Sequence, residues 1–303
     1  MRIIITGATG FVGINTVKKL KEKHEIHVFV RKEWLAKRYF GNDVKIKIGD
    51  IRNIDSVREA FDKKFDAVVH IAGVISAHDI NKLYMVNRLG CRNIARVAKE
   101  NGVSNFIYVS SLAARGPDGV GHPVSHYGNS KRLGELEIIS TLNNNIKIVR
   151  PPIIFGPHDK GTFPIFKLAK KGIFPILNRT YSFLFIDDLV DILSLLLEYH
   201  AKKLEVVYAS SFTKRYRDII SCLSEVSNKK GIKIEIPLEL LRFASLFSSK
   251  KSPLSEDKMR EILPKAWTCD NETVRTLISY EPKTDMCRAI RETYKWYIEN
   301  GWI

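Results

Sequence analysis

Three polar side chains stand where proton chemistry could be done. Tyr127 and Lys131 are four residues apart, roughly one turn of a helix with about 3.6 residues per turn, so phenol and ammonium share a face. A phenol with an ordinary pKa of about 10 is a poor proton carrier at neutral pH, and a neighbouring cation brings it into range. Lys131 would supply that field. Ser111, at the end of the preceding apolar run, would hold a substrate oxygen.

A second signal lies at the N-terminus, where Thr6-Gly7-Ala8-Thr9-Gly10-Phe11-Val12-Gly13 has the spacing G-x-x-G-x-x-G between an apolar run and an amphipathic one. Gly7 can take a tight turn, Gly10 lets a pyrophosphate approach the backbone, and Gly13 allows close helix packing, while the helix start offers unpaired N–H groups to the anion. Thr9, Phe11 and Val12 belong to the same turn. At the end of the second apolar run the chain reads Val30-Arg31-Lys32, where an acidic residue would bond ribose hydroxyls and favour NAD. Arg31 and Lys32 suit a 2′-phosphate instead, because guanidinium grips phosphate with a bidentate fork. NADP(H) is therefore expected ahead of NAD(H).

The elements that must position these groups alternate. Short Val- and Ile-rich runs read as strands at Arg2–Thr6, Glu25–Val30, Val44–Ile48, Phe65–Ile71, Asn105–Ser110 and Ile146–Val149. Between them lie helices at Phe11–Lys23 and Ile54–Lys64, a long one at Ile80–Asn101, and one at His126–Ser140. Repeated βαβ units of this kind build a parallel sheet buried on both faces. After Arg150 the pattern weakens: Pro151, Pro152, Pro157 and Pro164 exclude long regular elements there. Later pieces read as helices at Asp187–His200, Tyr216–Ser227 and Asp285–Glu299 and a strand at Leu204–Ala209. Asp187 and Asp188 read as carboxylates capping a helix start.

Composition narrows the class. The 303 residues, 45% hydrophobic and 27% charged, suit one large or two closely packed globular domains and no membrane span. Cys91, Cys222, Cys269 and Cys287 are far apart, with no Cys-x-x-Cys pair. Reduced thiols in a cytoplasmic protein are expected. His78, His122, His126 and His158 form no metal set. The net charge is +16; 25 basic and 14 acidic residues up to Arg150 leave +11, and 24 and 19 afterwards leave +5. Scattered Lys pairs read mostly as solvated helix faces, which concern solubility and association.

Taken together, the motifs resemble the extended short-chain dehydrogenase/reductase family, which includes nucleotide-sugar epimerases and dehydratases, dihydroflavonol reductases and 3β-hydroxysteroid dehydrogenases. The resemblance runs over almost the whole chain: Thr6 to Gly13, Gly49-Asp50-Ile51, His70-Ile71-Ala72-Gly73, Asn87-Arg88-Leu89-Gly90, Val109-Ser110-Ser111, Tyr127 to Lys131, and Arg150-Pro151-Pro152-Ile153-Ile154-Phe155-Gly156-Pro157. The closing stretch Glu292 to Tyr297 with Gly301-Trp302 fits too. It implies that Asp50 and Ile51 contact adenine and that Ala72, Gly73, Asn87, Val109, Pro151 and Ile153 line the cofactor. Tyr127 would be acid or base on the substrate oxygen, with Lys131 also on the nicotinamide ribose. Of the two serines, Ser111 is preferred over Ser110 because it precedes the loop ending in Gly116.

The chain is therefore expected to be α/β, a Rossmann-type doubly wound parallel sheet over residues 1–150, with a smaller mixed C-terminal substrate region over 151–303 that returns some segments to the first. Its expected activity is hydride transfer between NAD(P) and a secondary alcohol or ketone. Ala113-Ala114-Arg115-Gly116-Pro117 and the basic Arg31 favour that over the alternative, a nucleotide-sugar epimerase or dehydratase using bound NAD. A non-enzymatic NADP sensor is the third reading, disfavoured by the intact Tyr127 and Lys131. Ser76, Arg115 and His126 are expected substrate contacts. The partner is a small-molecule substrate and not nucleic acid or a stably inserted membrane. A homodimer through the helices at Ile80–Asn101 and His126–Ser140 follows the family habit, and the Leu-rich Leu238–Phe247 with Lys250-Lys251 would wall an apolar substrate or touch a membrane surface.

Overall fold

The computed structural model describes residues 1–76, 79–239, 242 and 256–303. His78, most of the Leu238–Phe247 stretch and Lys250-Lys251 lie outside the described residues. The first half runs β1 (Arg2–Thr6), α1 (Phe11–Leu20), β2 (Glu25–Val30), α2 (Glu33–Phe40), β3 (Lys45–Ile48), α3 (Ile54–Ala60), β4 (Ala67–His70), α4 (Ile80–Tyr84), α5 (Gly90–Glu100), β5 (Asn105–Val109), α6 (His126–Thr141) and β6 (Ile146–Val149). The second half adds β7 (Ile153–Phe155), α7 (Phe163–Lys170), β8 (Ile173–Ile176), β9 (Thr180–Phe185), α8 (Ile186–Glu198), β10 (Leu204–Val207), β11 (Phe212–Arg215), α9 (Tyr216–Val226), β12 (Ile232–Glu235), α10 (Glu256–Ile262), β13 (Ala266–Trp267), α11 (Glu272–Ile278) and α12 (Met286–Glu299).

Seven parallel strands form one sheet in the order β10-β6-β5-β4-β1-β2-β3. Alternate residues of each strand feed opposite cores, as the two-residue period of a strand requires. Ile3, Ile5, Val28, Val69, Ile107 and Val149 face a core shared with α1 and α8. Ile4, Phe29, Val68, Phe106, Tyr108 and Ile148 face one shared with α3 and α5. The strand order reverses between β1 and β4, which opens a crevice beyond the carboxyl ends of the strands. The second half contributes β10 to this sheet and builds two others, β11-β9-β13 with β7 beside β9 and the pair β12-β8.

Several expectations change. The long helix expected over Ile80–Asn101 is broken by one π-helical turn at Met85–Leu89. This wider turn carries Asn87, whose amide donates to Val74 O and Ser130 Oγ at 2.9 Å and accepts from Val74 N at 2.9 Å. Pro164 lies in the first turn of α7, where its missing N–H costs nothing. Asp187 and Asp188 do not cap α8 by side-chain bonds. Asp188 is buried and accepts from the Ser211 and Tyr280 hydroxyls at 2.5 and 2.9 Å, bracing two later segments. The cysteine expectation also fails for one pair: Cys222 on α9 and Cys287 on α12 are joined as a disulfide, with Cα atoms 5.9 Å apart. Their 65-residue separation hid a proximity set by helix packing; Cys91 and Cys269 are free. Among the described residues no helix is long and apolar enough to cross a membrane.

One polar cluster fixes α6 against the sheet. Glu135, 2% exposed, receives both arms of Arg150, at 2.9 Å from Nε and 2.6 Å from Nη2, and the Ser110 hydroxyl at 2.5 Å. Arg150 also donates to Tyr208 Oη at 2.5 Å, and that hydroxyl donates to Gly119 O at 2.6 Å. A buried pair broken on one side leaves an uncompensated charge, whereas removing both partners removes the cost. Glu135→Leu should therefore lower stability by about 3–5 kcal/mol in urea unfolding, and adding Arg150→Met should restore most of it. An undiminished loss in the double variant would refute this account.

Candidate active site

The residues expected to hold a cofactor gather at the carboxyl edge of the parallel strands. Gly7 leaves β1 with φ of 71°, and a Cβ there would sit 2.6 Å from Ala72 N. A Cβ at Gly13 would sit 2.2 Å from Gly7 O, so the turn closes only with glycine at both positions. Gly10 caps α1 without any side-chain bond to the helix start, which leaves first-turn N–H groups to an anion. Thr9, Gly10, Phe11 and Val12 keep surface at this rim. The bare, glycine-lined helix start fits a dinucleotide pyrophosphate.

Arg31 and Lys32 follow β2 and are exposed. Lys32 Nζ stands 5.8 Å from the ring centre of Trp34, itself 59% exposed, an aromatic neighbour that no motif announced. Asp50 and Ile51 follow β3: a forked bond from Arg52 holds the Asp50 carboxyl below its usual range, and Ile51 is buried behind it. Ala72 and Gly73 follow β4, where Thr6 Oγ1 accepts from Ala72 N at 3.2 Å and shares a 2.6 Å bond with His70 Nδ1. Burial pushes His70 down to about 3, so its imidazole is neutral and structural. Asn87 spends its amide on the Val74 backbone and Ser130, so it braces this loop. Pro151 and Ile153 follow β6, and Pro151 O accepts from Leu112 N at 2.8 Å.

The proton-handling group assembles beside them. Ser110 is consumed by Glu135, whereas Ser111 Oγ accepts from Ala113 N at 3.2 Å and lies near enough to the Tyr127 phenol to lower its pKa, which favours Ser111. Lys131, only 4% exposed, is not among the charges that shift the Tyr127 phenol. It donates to Val109 O at 2.8 Å and lies 4.3 Å from the ring centre of Tyr108. A carbonyl left open at the end of β5 is the stronger partner for a buried ammonium. Burial pushes the Tyr127 phenol above its ordinary value, and the cation that pulls it back is Lys258.

Lys258, with Asp257 and Glu261, belongs to α10 and was missed. Its sequence, Glu256-Asp257-Lys258-Met259-Arg260-Glu261, reads as a solvated charged turn, and no short motif could link it to Tyr127 some 130 residues away. Of the expected substrate contacts, Ser76 lies half-buried in the loop after β4. Arg115 donates to Val120 O at 2.7 Å within its own loop. His126 shares a 3.0 Å bond with Tyr84 Oη through Nδ1.

Comparison with known proteins agrees with this layout. The family model described as the NAD dependent epimerase/dehydratase family matches residues 3–208. A ceramide reductase of Caulobacter vibrioides is 35% identical over 183 residues, covering 59% of this chain and 54% of that protein. A UDP-glucose 4-epimerase of Vibrio cholerae is 31% identical over 215 residues, covering 63% and 65%. The chain thus spans between half and two thirds of the length of these curated relatives. Among solved structures, the Bordetella bronchiseptica enzyme WbmG in complex with NAD superposes with a TM-score of 0.81 over 99% of this chain and 95% of that one, at 21% identity. The UDP-glucose 4-epimerase of Thermotoga maritima with UDP-glucose does so at 0.81 over 99% of both chains, at 18% identity. At such identities these two matches establish the fold.

Burial pushes the Lys131 ammonium down to about 8, so the cofactor-free protein loses this cation as pH rises through that value. NAD binding, followed by quenching of tryptophan fluorescence, should weaken several-fold between about pH 7 and 9.5. In Lys131→Met it should be weaker throughout and flat over that range; a flat wild-type profile would contradict the assignment.

Proposed function

This chain belongs to the NAD dependent epimerase/dehydratase family, an NAD-dependent enzyme of the extended short-chain dehydrogenase/reductase type, and on that premise we propose that it epimerises a nucleotide-linked sugar. In this reading it oxidises one secondary alcohol of the sugar and reduces the ketone again, with NAD retained between the two steps. The observation that carries it is the gathering of Ser111 and the Tyr127 phenol beside the glycine cradle at Gly7 and Gly13, in a fold shared end to end with NAD- and UDP-sugar-bound enzymes.

The chain's own residues divide the work. Ser111 holds the substrate oxygen, Tyr127 takes the hydroxyl proton and later returns one to the same oxygen, and Lys131 holds positive charge for the ribose. Bound NAD supplies the hydride acceptor and donor. The turn Gly7 to Gly13, with Asp50, Ile51, Ala72, Gly73, Val109, Pro151 and Ile153, would hold it. We assign residues 1–150 to the cofactor and most of 151–303 to the sugar, with β10 returned to the cofactor sheet. A cytoplasmic homodimer through α5 and α6 belongs to the same reading, supported by Leu136 on α6 at 49% exposure.

A second reading, net reduction of a ketone by NADPH, is favoured by one observation: Arg31 and Lys32 stand exposed where a 2′-phosphate would lie. The similarity to a ceramide reductase is in keeping with it. Nucleotide released by denaturing the purified protein separates the two. Retained NAD, with interconversion of UDP-glucose and UDP-galactose or of another UDP-hexose pair without added cofactor, supports epimerisation. NADPH oxidation at 340 nm with ketones, and no sugar interconversion, supports reduction. Under either reading Tyr127→Phe should cut turnover at least about 100-fold, the usual scale of a positioned acid or base, and leave nucleotide binding within about twofold. Unchanged turnover would remove Tyr127 from the mechanism.

A further inference from the structure

The first turn of α6 is held from the far end of the chain. Asp257 accepts from the backbone N–H groups of His126 and Tyr127, at 2.6 and 3.2 Å. The cap residue Ser125 accepts from Gly128 N at 2.9 Å and donates its hydroxyl to Glu261 at 2.7 Å. Lys258 lies 4.9 Å from the centre of the Tyr127 ring, and its ammonium is 2.8 Å from Glu261. Seven residues of the C-terminal half therefore place two carboxylates on a helix start, where negative charge is favoured, and a cation against the face of the proton-carrying phenol.

We propose that α10 is a working part of the catalytic apparatus, with Asp257 fixing the first turn of α6 and Lys258 acting as a positioning residue on the Tyr127 phenol, a role expected from Lys131 alone. The proposal rests on Tyr127 being the acid or base. Burial and the charges around the phenol then act in opposite directions. The groups concerned are Ser111 after β5, Tyr108 on β5, His126 and Lys131 on α6, and Asp257, Lys258 and Glu261 on α10. Burial raises the phenol, Lys258 and the Ser111 hydroxyl lower it, and Glu261 raises it. For Lys258 itself burial works against the charge and is outweighed by Glu261, Tyr127 and Asp257, so the cation persists through neutral pH. Lys131 meanwhile is engaged at Val109, and this leaves Lys258 as the cation on the ring face.

The device also links chemistry to the substrate side, because α10 belongs to the half proposed to bind the sugar. A displacement of α10 would loosen the turn that carries Tyr127 and withdraw a cation from it at the same time.

The test needs no substrate, so it stays readable even if the sugar assignment fails. Protein labelled with tyrosine carrying 13C at Cζ is titrated by NMR from pH 7 to about 12.5, with circular dichroism at each pH to follow the fold. The Tyr127 resonance is assigned by its loss in Tyr127→Phe. In Lys258→Met its midpoint should move up by about one unit, a tenfold fall in the phenolate fraction, and Lys258→Arg should stay within a few tenths of wild type. Glu261→Gln should move it down. Opposite signs for the two neutralisations are not what mere loss of packing would produce. The proposal is overturned if Lys258→Met titrates with the wild type or if Glu261→Gln moves upward. Should Lys258→Met fail to fold, the arginine and Glu261→Gln variants decide between the same outcomes.

Discussion

The site depends first on the buried pair of Glu135 and Arg150. Arg150 follows β6, Glu135 is on α6, Ser110 follows β5, and Tyr208 follows β10, so one charge-assisted cluster ties the ends of three neighbouring strands to the helix that carries Tyr127 and Lys131. Hydrophobic burial alone would hold α6 on the sheet but would tolerate small slides along it. Bidentate geometry does not tolerate them, because both arms of the guanidinium must meet both carboxylate oxygens. The cost of desolvating the pair is therefore spent on register. That register matters because Ser111 is the next residue after Ser110, and a slide of α6 along the sheet would carry Tyr127 away from it.

The same edge of the sheet carries a second constraint, the burial of lysine. Lys131 is nearly inaccessible and its ammonium is stabilised by a backbone carbonyl and an aromatic face, with no carboxylate bonded to it among the described residues. Such a cation is held close to losing its proton. A group in that state responds strongly to whatever binds next, and ribose hydroxyls are acceptors of the kind it lacks. The arrangement suits a lysine whose charge is wanted mainly with cofactor in place, and it explains why a different cation lies against Tyr127.

Legibility divided along the same line. Strands β1 to β6 and the turns that follow them were readable because parallel strands buried on both faces leave continuous Val and Ile runs, and because glycine is the only residue that fits at Gly7 and Gly13. Tyr127 and Lys131 were expected from their spacing of one helical turn, and Ser111 from its place before the loop ending in Gly116. The break at Met85–Leu89 was not, since a π turn changes hydrogen-bond register without changing composition. Asp188 looked like a cap and proved to be a brace, because both roles place a carboxylate near a helix start and only the positions of Ser211 and Tyr280 tell them apart. The Cys222–Cys287 bond and α10 were hidden for a common reason: each is made by contacts between segments 65 to about 130 residues apart, in a region where proline and short strands erase periodicity.

That hidden part is where discrimination between substrates would be built. The cofactor half presents a constellation suited to any secondary alcohol, and nothing in Ser111 or Tyr127 distinguishes one sugar, or one ketone, from another. The carboxylates that cap α6 come from α10, and they reach the phenol through its own backbone N–H and through Lys258. A fold that split its functions cleanly would keep the second half away from the catalytic helix. Here the first turn of that helix depends on Asp257 for two of its acceptors, and its cap Ser125 on Glu261, so the half proposed to bind substrate also helps set the strength of the proposed acid. Selectivity in such an arrangement can be expressed in the chemical step as well as in binding, since only a substrate that leaves α10 seated finds Tyr127 fully prepared.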